Sequence, residues 1–147
     1  MLQTLSHVSI VVPDLELAVS RLKSVYGLNA GRRQVNEAQG GALVYVALAN
    51  VKLELMQPMH TDGPLARFLE KNPKGGLHHI SFDVESLDTL LQTLASTGVQ
   101  PVSAPGAVNV RGDPIAFLHP KDFLGVLVEL EQHNNDGAVS VKLDALF

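Results

Sequence analysis

The feature that most constrains the fold is an internal repeat. LSHVSIVVPDLELAVSRL at Leu5–Leu22 aligns without gaps on LHHISFDVESLDTLLQTL at Leu77–Leu94, at an offset of 72 residues. A repeat of this length indicates two copies of one supersecondary unit that bury their apolar faces together. The identical pairs include Leu5 with Leu77, His7 with His79, Ser9 with Ser81, Val12 with Val84 and Leu15 with Leu87.

Both copies follow one order of predicted elements. A strand leads through a short polar turn into a helix with apolar residues at i, i+4 and i+7, and further strands follow. VKLELMQ at Val51–Gln57 aligns on VLVELEQ at Val126–Gln132 at an offset of 75. Each copy is therefore predicted as a βαβββ module within a single domain. The predicted parts are module one at about 1–62, a crossover helix at about 64–72, module two at about 75–132, and a tail at 133–147 whose strand or helix character stays open.

Composition argues against several classes of function. Of the 147 residues, 46% are hydrophobic and 18% are charged, and the formal net charge is −4, so nucleic acid is not an expected partner. No apolar run reaches the roughly 18 residues of a membrane span, and no signal-peptide pattern opens the sequence. We therefore expect no membrane partner and a cytoplasmic location. The absence of cysteine excludes disulfides, thiolate nucleophiles and cysteine-ligated zinc.

Two adjacent histidines open the strand of the second copy. Side chains alternate between the faces of a strand, so His78 and His79 point in opposite directions. His79 is in register with His7 and shares its face with Ser81 and Asp83. We therefore predict that His79, rather than His78, faces a partly polar cavity and binds a ligand.

Two glutamates also occupy matched positions, Glu54 in the first copy and Glu129 in the second. Two imidazoles and two carboxylates are a sufficient ligand set for a divalent metal ion. Alternation alone offers a different interpretation, in which each glutamate faces water between apolar neighbours and His7 is a hydrogen-bonded core residue. The coincidence of four such side chains at repeat-equivalent positions favours the metal site. Its predicted ligands are His7, Glu54, His79 and Glu129.

The paired modules resemble the vicinal oxygen chelate superfamily, which includes glyoxalase I, extradiol dioxygenases and drug-resistance binding proteins. Three blocks are similar to the methylmalonyl-CoA epimerase family within it: Lys52–Pro58, Arg67–Val84 and Ile115–Gln132. The resemblance implies an α+β fold in which two tandem βαβββ modules form an incomplete, glyoxalase-like barrel around a metal site. It also implies an activity, the metal-dependent epimerisation of (2R)- and (2S)-methylmalonyl-CoA by α-proton abstraction and enolate stabilisation.

The resemblance further assigns roles to residues. In that family the metal is held by a first-strand histidine, the second histidine of the HH pair and the glutamate of the VELEQ block, which correspond here to His7, His79 and Glu129. Glu54 stands at the position of the fourth ligand. Leu43 replaces a glutamate that some bacterial relatives carry and that is proposed as a base. Glu129 and Glu54 are therefore the carboxylates predicted to transfer the proton.

Partners and cofactor follow from the same resemblance. Cationic side chains are expected near the phosphates of a CoA thioester, and Arg111 and Lys121 in loops of module two are the candidates. The family implies a homodimer and favours Co²⁺, while Mn²⁺, Ni²⁺ or Zn²⁺ would also suit such ligands. Three alternatives stay open: a glyoxalase I-type isomerase of a glutathione hemithioacetal, an extradiol dioxygenase, and a metal-free small-molecule-binding module. The HPKDF block favours the epimerase over the first, and Glu54 as a fourth ligand argues against the second.

Overall fold

The computed structural model describes residues 1–133, which form three α-helices and seven strands in an α+β, glyoxalase-like fold. These residues fall into two compact units. Unit one contains Met1–His7 and residues 79–133, and unit two contains Val8–His78. The strands are β1 Leu2–Val11, β2 Gln34–Asn36, β3 Gly41–Ala47, β4 Lys52–Pro58, β5 Gly76–Val84, β6 Ile115–Leu118 and β7 Val128–Glu131. The helices are α1 Leu15–Tyr26, α2 Pro64–Lys71 and α3 Leu87–Ser96, and a 3-10 turn covers Pro120–Asp122.

Unit two contains the helix of the first copy and four strands, β2, β3, β4 and the part of β1 from Val8 onward. Its strands follow the order β2-β3-β4-β1, and both β2–β3 and β3–β4 are antiparallel. Helix α1 begins where the Asp14 side chain accepts a hydrogen bond from the Leu17 N–H, and it ends at Gly27 in the left-handed region. The apolar face of α1 packs on the sheet. The buried core of this unit consists of Leu15, Ala42, Val44, Val46 and Leu55.

Unit one repeats this plan with the second copy. Strand β5 lies parallel to β7, and β7 lies antiparallel to β6. Ser86 begins α3 by accepting a hydrogen bond from the Thr89 N–H, as Asp14 does for α1. The helix packs its leucines on the sheet. The buried core consists of Val84, Leu87, Leu90, Ala116, Leu118, Val128 and Leu130.

The second copy departs from the predicted strands between α3 and β7. Within the described residues, only isolated bridges, Pro101 with Leu118 and Val108 with Pro114, stand where the first copy has β2. Proline donates no backbone hydrogen bond, which prevents a longer ladder there. The VLVELEQ block starts at Val126, but strand β7 begins only at Val128, because Leu124 and Gly125 have positive φ angles and form a turn.

The described residues bear on two further expectations. No helix within residues 1–133 is long and apolar enough to cross a membrane. The predicted tail at 133–147 lies outside the described residues except for His133.

Candidate active site

Three of the four predicted metal ligands meet in unit one. A ring nitrogen of His7, a ring nitrogen of His79 and a carboxylate oxygen of Glu129 all lie within 4.8 Å of one another. His7 Nε2 is 3.4 Å from His79 Nε2 and 3.5 Å from Glu129 Oε1, and His79 Nε2 is 4.0 Å from Glu129 Oε2. Ligand atoms about 2.1 Å from one shared ion have similar mutual separations. The three side chains therefore fit a divalent metal ion.

Strand pairing explains why these side chains converge. In the parallel β5–β7 ladder Ser81 lies opposite Glu129, and in the antiparallel β6–β7 ladder Phe117 lies opposite the same residue. The Ser81 hydroxyl donates to Glu129 Oε1 at 2.9 Å. The Phe117 ring meets the His79 ring edge-on, with centroids 5.2 Å apart. The Ser81 hydroxyl thus fixes the Glu129 carboxylate. The Phe117 ring fixes the His79 imidazole.

The fourth predicted ligand, Glu54, is buried in unit two, where it has a separate set of polar neighbours. Ser9 Oγ donates to Glu54 Oε1 at 3.0 Å, and Tyr45 lies opposite Glu54 in the β3–β4 ladder. Lys52 Nζ lies 5.4 Å from the centroid of the Tyr45 ring. Burial raises the pKa of Glu54, while hydrogen bonds from Tyr45 and Ser9 and the charges of His78 and Lys52 lower it.

The water-facing interpretation of the two glutamates is wrong. Glu54 is 6% exposed and Glu129 is 3% exposed, although each lies between apolar neighbours in the sequence. Both faces of these strands are covered, so alternation does not lead the polar side chain to solvent. The role of Glu54 as a metal ligand stays a prediction.

The two adjacent histidines have different surroundings, as alternation along a strand requires. His79 is buried among the candidate ligands, whereas His78 is half-buried and packs edge-on against Phe68, with ring centroids 5.1 Å apart. Burial lowers the pKa of His78, and the charge of Glu54 opposes this effect.

The weaker substrate-binding candidates lie in two different settings. The Arg111 side chain is 29% exposed and donates to Asp113 Oδ2 from Nε, at 3.0 Å, and to Glu131 Oε1 from Nη2. Lys121 is exposed in the 3-10 turn at Pro120–Asp122. Contacts of either residue with CoA stay predictions.

Sequence reasoning missed a second polar group beside the candidate ligands. Asp83, Glu131 and His133 offer ligand atoms within 4.8 Å of one another, and Arg111 also binds Glu131. A signal was present in VELEQ, because residues two apart on a strand share a face and Glu131 therefore lies on the side of Glu129. The group already contains a guanidinium, so it is better described as an ion-pair network than as a metal site.

Comparison with known proteins places these observations in a family. The model of the Glyoxalase/Bleomycin resistance protein/Dioxygenase superfamily matches residues 6–117. The chain is 41% identical over 133 residues to the ethylmalonyl-CoA/methylmalonyl-CoA epimerase of Cereibacter sphaeroides, covering 90% of this chain and 99% of that relative. It is 41% identical over 128 residues to the human mitochondrial methylmalonyl-CoA epimerase, covering 87% of this chain and 73% of the human protein.

A solved structure supports the same relationship. The chain is similar to a variant of Streptomyces coelicolor methylmalonyl-CoA epimerase in complex with 2-nitronate-propionyl-CoA, with a TM-score of 0.84 and 29% identity. The similarity covers 94% of this chain and 99% of the Streptomyces chain.

Proposed function

This chain belongs to the glyoxalase/bleomycin resistance protein/dioxygenase superfamily, and we propose that it epimerises (2R)- and (2S)-methylmalonyl-CoA with the help of a divalent metal ion. The observation that carries the proposal is the convergence of His7, His79 and Glu129 at a buried point. The 41% identity to two epimerases of such thioesters supports the choice of substrate.

The reaction requires a base and a means of stabilising negative charge. The proton at C2 of methylmalonyl-CoA lies between a thioester carbonyl and a carboxylate. When a base takes this proton, the electron pair of the C–H bond becomes an enolate, and return of a proton to the opposite face gives the epimer. A positioned carboxylate acting as general base typically accelerates such a step by roughly 10² to 10⁴.

The donor set defines the cofactor that we propose. His7, His79 and Glu129, with Glu54 as the fourth ligand, offer only nitrogen and oxygen, which suits Co²⁺, Mn²⁺, Ni²⁺ or Zn²⁺, with Co²⁺ favoured. Such an ion, when bound, supplies Lewis-acid polarisation of carbonyl oxygens. The imidazoles and carboxylates would hold it in a buried environment, where electrostatic interactions are strongest.

Two carboxylates are available for proton transfer. We propose that Glu129 transfers the proton at one face of C2. Its Oε1 accepts a hydrogen bond from the Ser81 hydroxyl at 2.9 Å. Glu54 either transfers the proton at the opposite face or is the fourth metal ligand. Its carboxylate accepts a hydrogen bond from Ser9 at 3.0 Å. The raised pKa of Glu54, caused by burial, makes its carboxylate a stronger base than one in water.

Binding of the CoA part is proposed from charge alone. Lys121 is exposed and offers a cation to the CoA phosphates, and Arg111 is partly exposed beside its ion pairs with Asp113 and Glu131. A homodimer stays a prediction from the family, and a cytoplasmic location stays a prediction from the sequence.

The test follows the α-proton of methylmalonyl-CoA by proton NMR in D₂O. Metal-stripped protein is compared with the same protein after Co²⁺ is restored, and enzyme-free substrate gives the background rate. Exchange that depends on Co²⁺ supports the proposal. No acceleration with any divalent ion would refute it.

The competing activities serve as controls on the same preparations. A glutathione hemithioacetal converted faster than methylmalonyl-CoA would favour a glyoxalase I-type isomerase. Aerobic cleavage of catechol would favour a dioxygenase. Protein that binds no stoichiometric metal would favour a metal-free binding module.

A further inference from the structure

The ring of His7 contacts polar groups on both of its nitrogens. Nε2 lies near His79 and Glu129, at 3.4 and 3.5 Å. Nδ1 lies 3.2 Å from Ser6 Oγ and 3.9 Å from Glu131 Oε2. Glu131 is only 1% exposed, so its carboxylate faces the ring from within the protein interior.

Glu131 is held in place from its other oxygen. The Arg111 guanidinium donates from Nη2 to Glu131 Oε1, and His133 Nδ1 lies 3.3 Å from that same oxygen. The Arg111 Nε donates in turn to Asp113 Oδ2 at 3.0 Å. Because arginine is always protonated in proteins, Glu131 has a permanent cationic partner. The anchoring of Oε1 leaves Oε2 directed towards His7.

The chemistry of imidazole gives this arrangement a purpose. A histidine that binds a metal ion through Nε2 carries its remaining proton on Nδ1. At 3.9 Å the carboxylate of Glu131 acts on Nδ1 through its charge, which favours the tautomer with the proton on that nitrogen. An outer-shell carboxylate beside a metal-binding histidine orients the ring and raises the basicity of Nε2. An ionised carboxylate only accepts hydrogen bonds, whereas the Ser6 hydroxyl both donates and accepts and so suits either tautomer. Glu131, rather than Ser6, therefore selects the tautomer.

We propose that Glu131, anchored by Arg111, is a positioning residue that holds His7 in the Nδ1–H tautomer with Nε2 directed at the metal site. The cofactor part of this inference rests on the proposed function. The tautomer part does not, because it concerns the protein's own side chains.

The first test measures Co²⁺ affinity by titration, with the d–d absorption of the bound ion as a second readout. Loss of an outer-shell carboxylate typically weakens metal binding by roughly 10- to 100-fold, and we expect Glu131→Gln to raise the Kd by that factor. Asp113→Asn is the matched control, because it removes a carboxylate from the other side of Arg111. We expect its Kd to stay within about threefold of wild type, since the orienting group is intact.

The second test uses ¹⁵N NMR of the histidine rings in metal-free protein. We expect His7 to be protonated at Nδ1 in the wild type and to show a mixture of tautomers in Glu131→Gln. Ser6→Ala should keep the wild-type tautomer. An unchanged tautomer and an unchanged Kd in Glu131→Gln would overturn the proposal, and so would a larger effect of Ser6→Ala than of Glu131→Gln.

A third variant guards against misfolding. Glu131→Gln leaves a partly buried guanidinium with one carboxylate fewer, so the double variant Glu131→Gln/Arg111→Met removes both charges of that pair. It should show the same rise in Kd and the same tautomer mixture. If wild-type protein binds no Co²⁺, the proposed function fails, and the NMR arm still decides whether Glu131 sets the tautomer of His7.

Discussion

The two repeat copies share the hydrogen bonds of their glutamates. Ser9 donates to Glu54 at 3.0 Å in the first copy, and Ser81 donates to Glu129 at 2.9 Å in the second. In both copies a serine hydroxyl donates to a carboxylate oxygen of the glutamate. A buried hydroxyl–carboxylate pair is thus part of the repeated unit itself.

A second shared bond links each helix to its strand. The Leu15 N–H donates to Gln57 Oε1 at 2.8 Å, and the Leu87 N–H donates to Gln132 Oε1 at 2.6 Å. Both bonds satisfy a backbone donor in the first turn of a helix, which lacks a partner within the helix. The glutamine that follows each glutamate by three residues therefore serves the fold rather than the chemistry.

The copies differ in what surrounds the glutamates. Tyr45 lies opposite Glu54, while Phe117 lies opposite Glu129. Two residues after the glutamate, the first copy has Met56 and the second has Glu131. The serine–glutamate hydrogen bond thus has a tyrosine and a lysine nearby in the first copy, and a phenylalanine and an imidazole nearby in the second. The shared bonds build the fold, and the differing neighbours determine what each carboxylate can do.

The largest expected effect is a difference in Co²⁺ affinity between variants of the two adjacent histidines. His79→Asn removes a nitrogen ligand, and we expect Co²⁺ affinity to fall by more than the roughly 100-fold seen for outer-shell changes. His78→Asn is the matched control, because His78 packs against Phe68. Titration with Co²⁺ measures both. Equal losses in the two variants would contradict the assignment of His79.

Removing the shared hydroxyls tests whether the two copies are equivalent as folding units. Ser9→Ala and Ser81→Ala each remove a hydrogen bond to a buried carboxylate, and we expect each to lower the free energy of unfolding by about 1.5–3 kcal/mol. Denaturant unfolding of metal-free protein measures the change. A loss confined to one variant would show that only one copy depends on this bond.

Glu54→Gln tests the cost of burying the first-copy carboxylate. Burial raises its folded pKa above 4.5, so the ionised form destabilises the folded state at higher pH, and the effect disappears below 4.5. We therefore expect Glu54→Gln to raise the melting temperature of metal-free protein at about pH 8 and to leave it unchanged at about pH 4. A lower melting temperature at the higher pH would show that hydrogen bonds outweigh desolvation.

The smallest expected effect concerns His133, beside Glu131. A hydrogen bond to Asp83 raises the pKa of His133 above 6.5, with burial opposing and Glu131 adding to the increase. Protonated His133 therefore stabilises the fold below pH 6.5, and this contribution is lost as the pH rises through the raised pKa. Because the side chain is 36% exposed, we expect His133→Gln to cost at most about 1 kcal/mol. Unfolding at about pH 6 and pH 9 measures the difference, which should vanish at the higher pH.

The sequence was sufficient to predict that the two repeat-matched histidines lie together. Alternation along a strand and the offset of 72 residues together predicted that His7 and His79 share a site, and the two lie 3.4 Å apart. The order of strands and helices followed from the same pattern, except that the second copy has only isolated bridges where the first copy has β2. These features depend on local periodicity, and the same periodic pattern occurs in both copies.

The network around Glu131 was not predictable in the same way. It depends on a turn in which Asn109 Oδ1 accepts hydrogen bonds from the N–H groups of Arg111 and Asp113, at 2.8 and 3.0 Å. In the first copy the turn before β3 also has an asparagine acceptor, with Asn36 Oδ1 accepting from the Gln39 N–H at 3.1 Å. That turn contains no arginine, so the repeat did not indicate the role of Arg111. The late start of β7 escaped prediction because Leu124, a non-glycine residue, adopts a φ of 53°.

The most direct test of the account measures α-proton exchange with separate (2R)- and (2S)-methylmalonyl-CoA in D₂O. Wild type is compared with Glu129→Gln and Glu54→Gln, each loaded with Co²⁺ to an equal and verified content. We predict that Glu129→Gln slows exchange by about 10² or more and that Glu54→Gln also lowers the rate. A slower rate for one epimer only would assign each carboxylate to one face. Wild-type rates in both variants would contradict the claim that these buried glutamates transfer the proton.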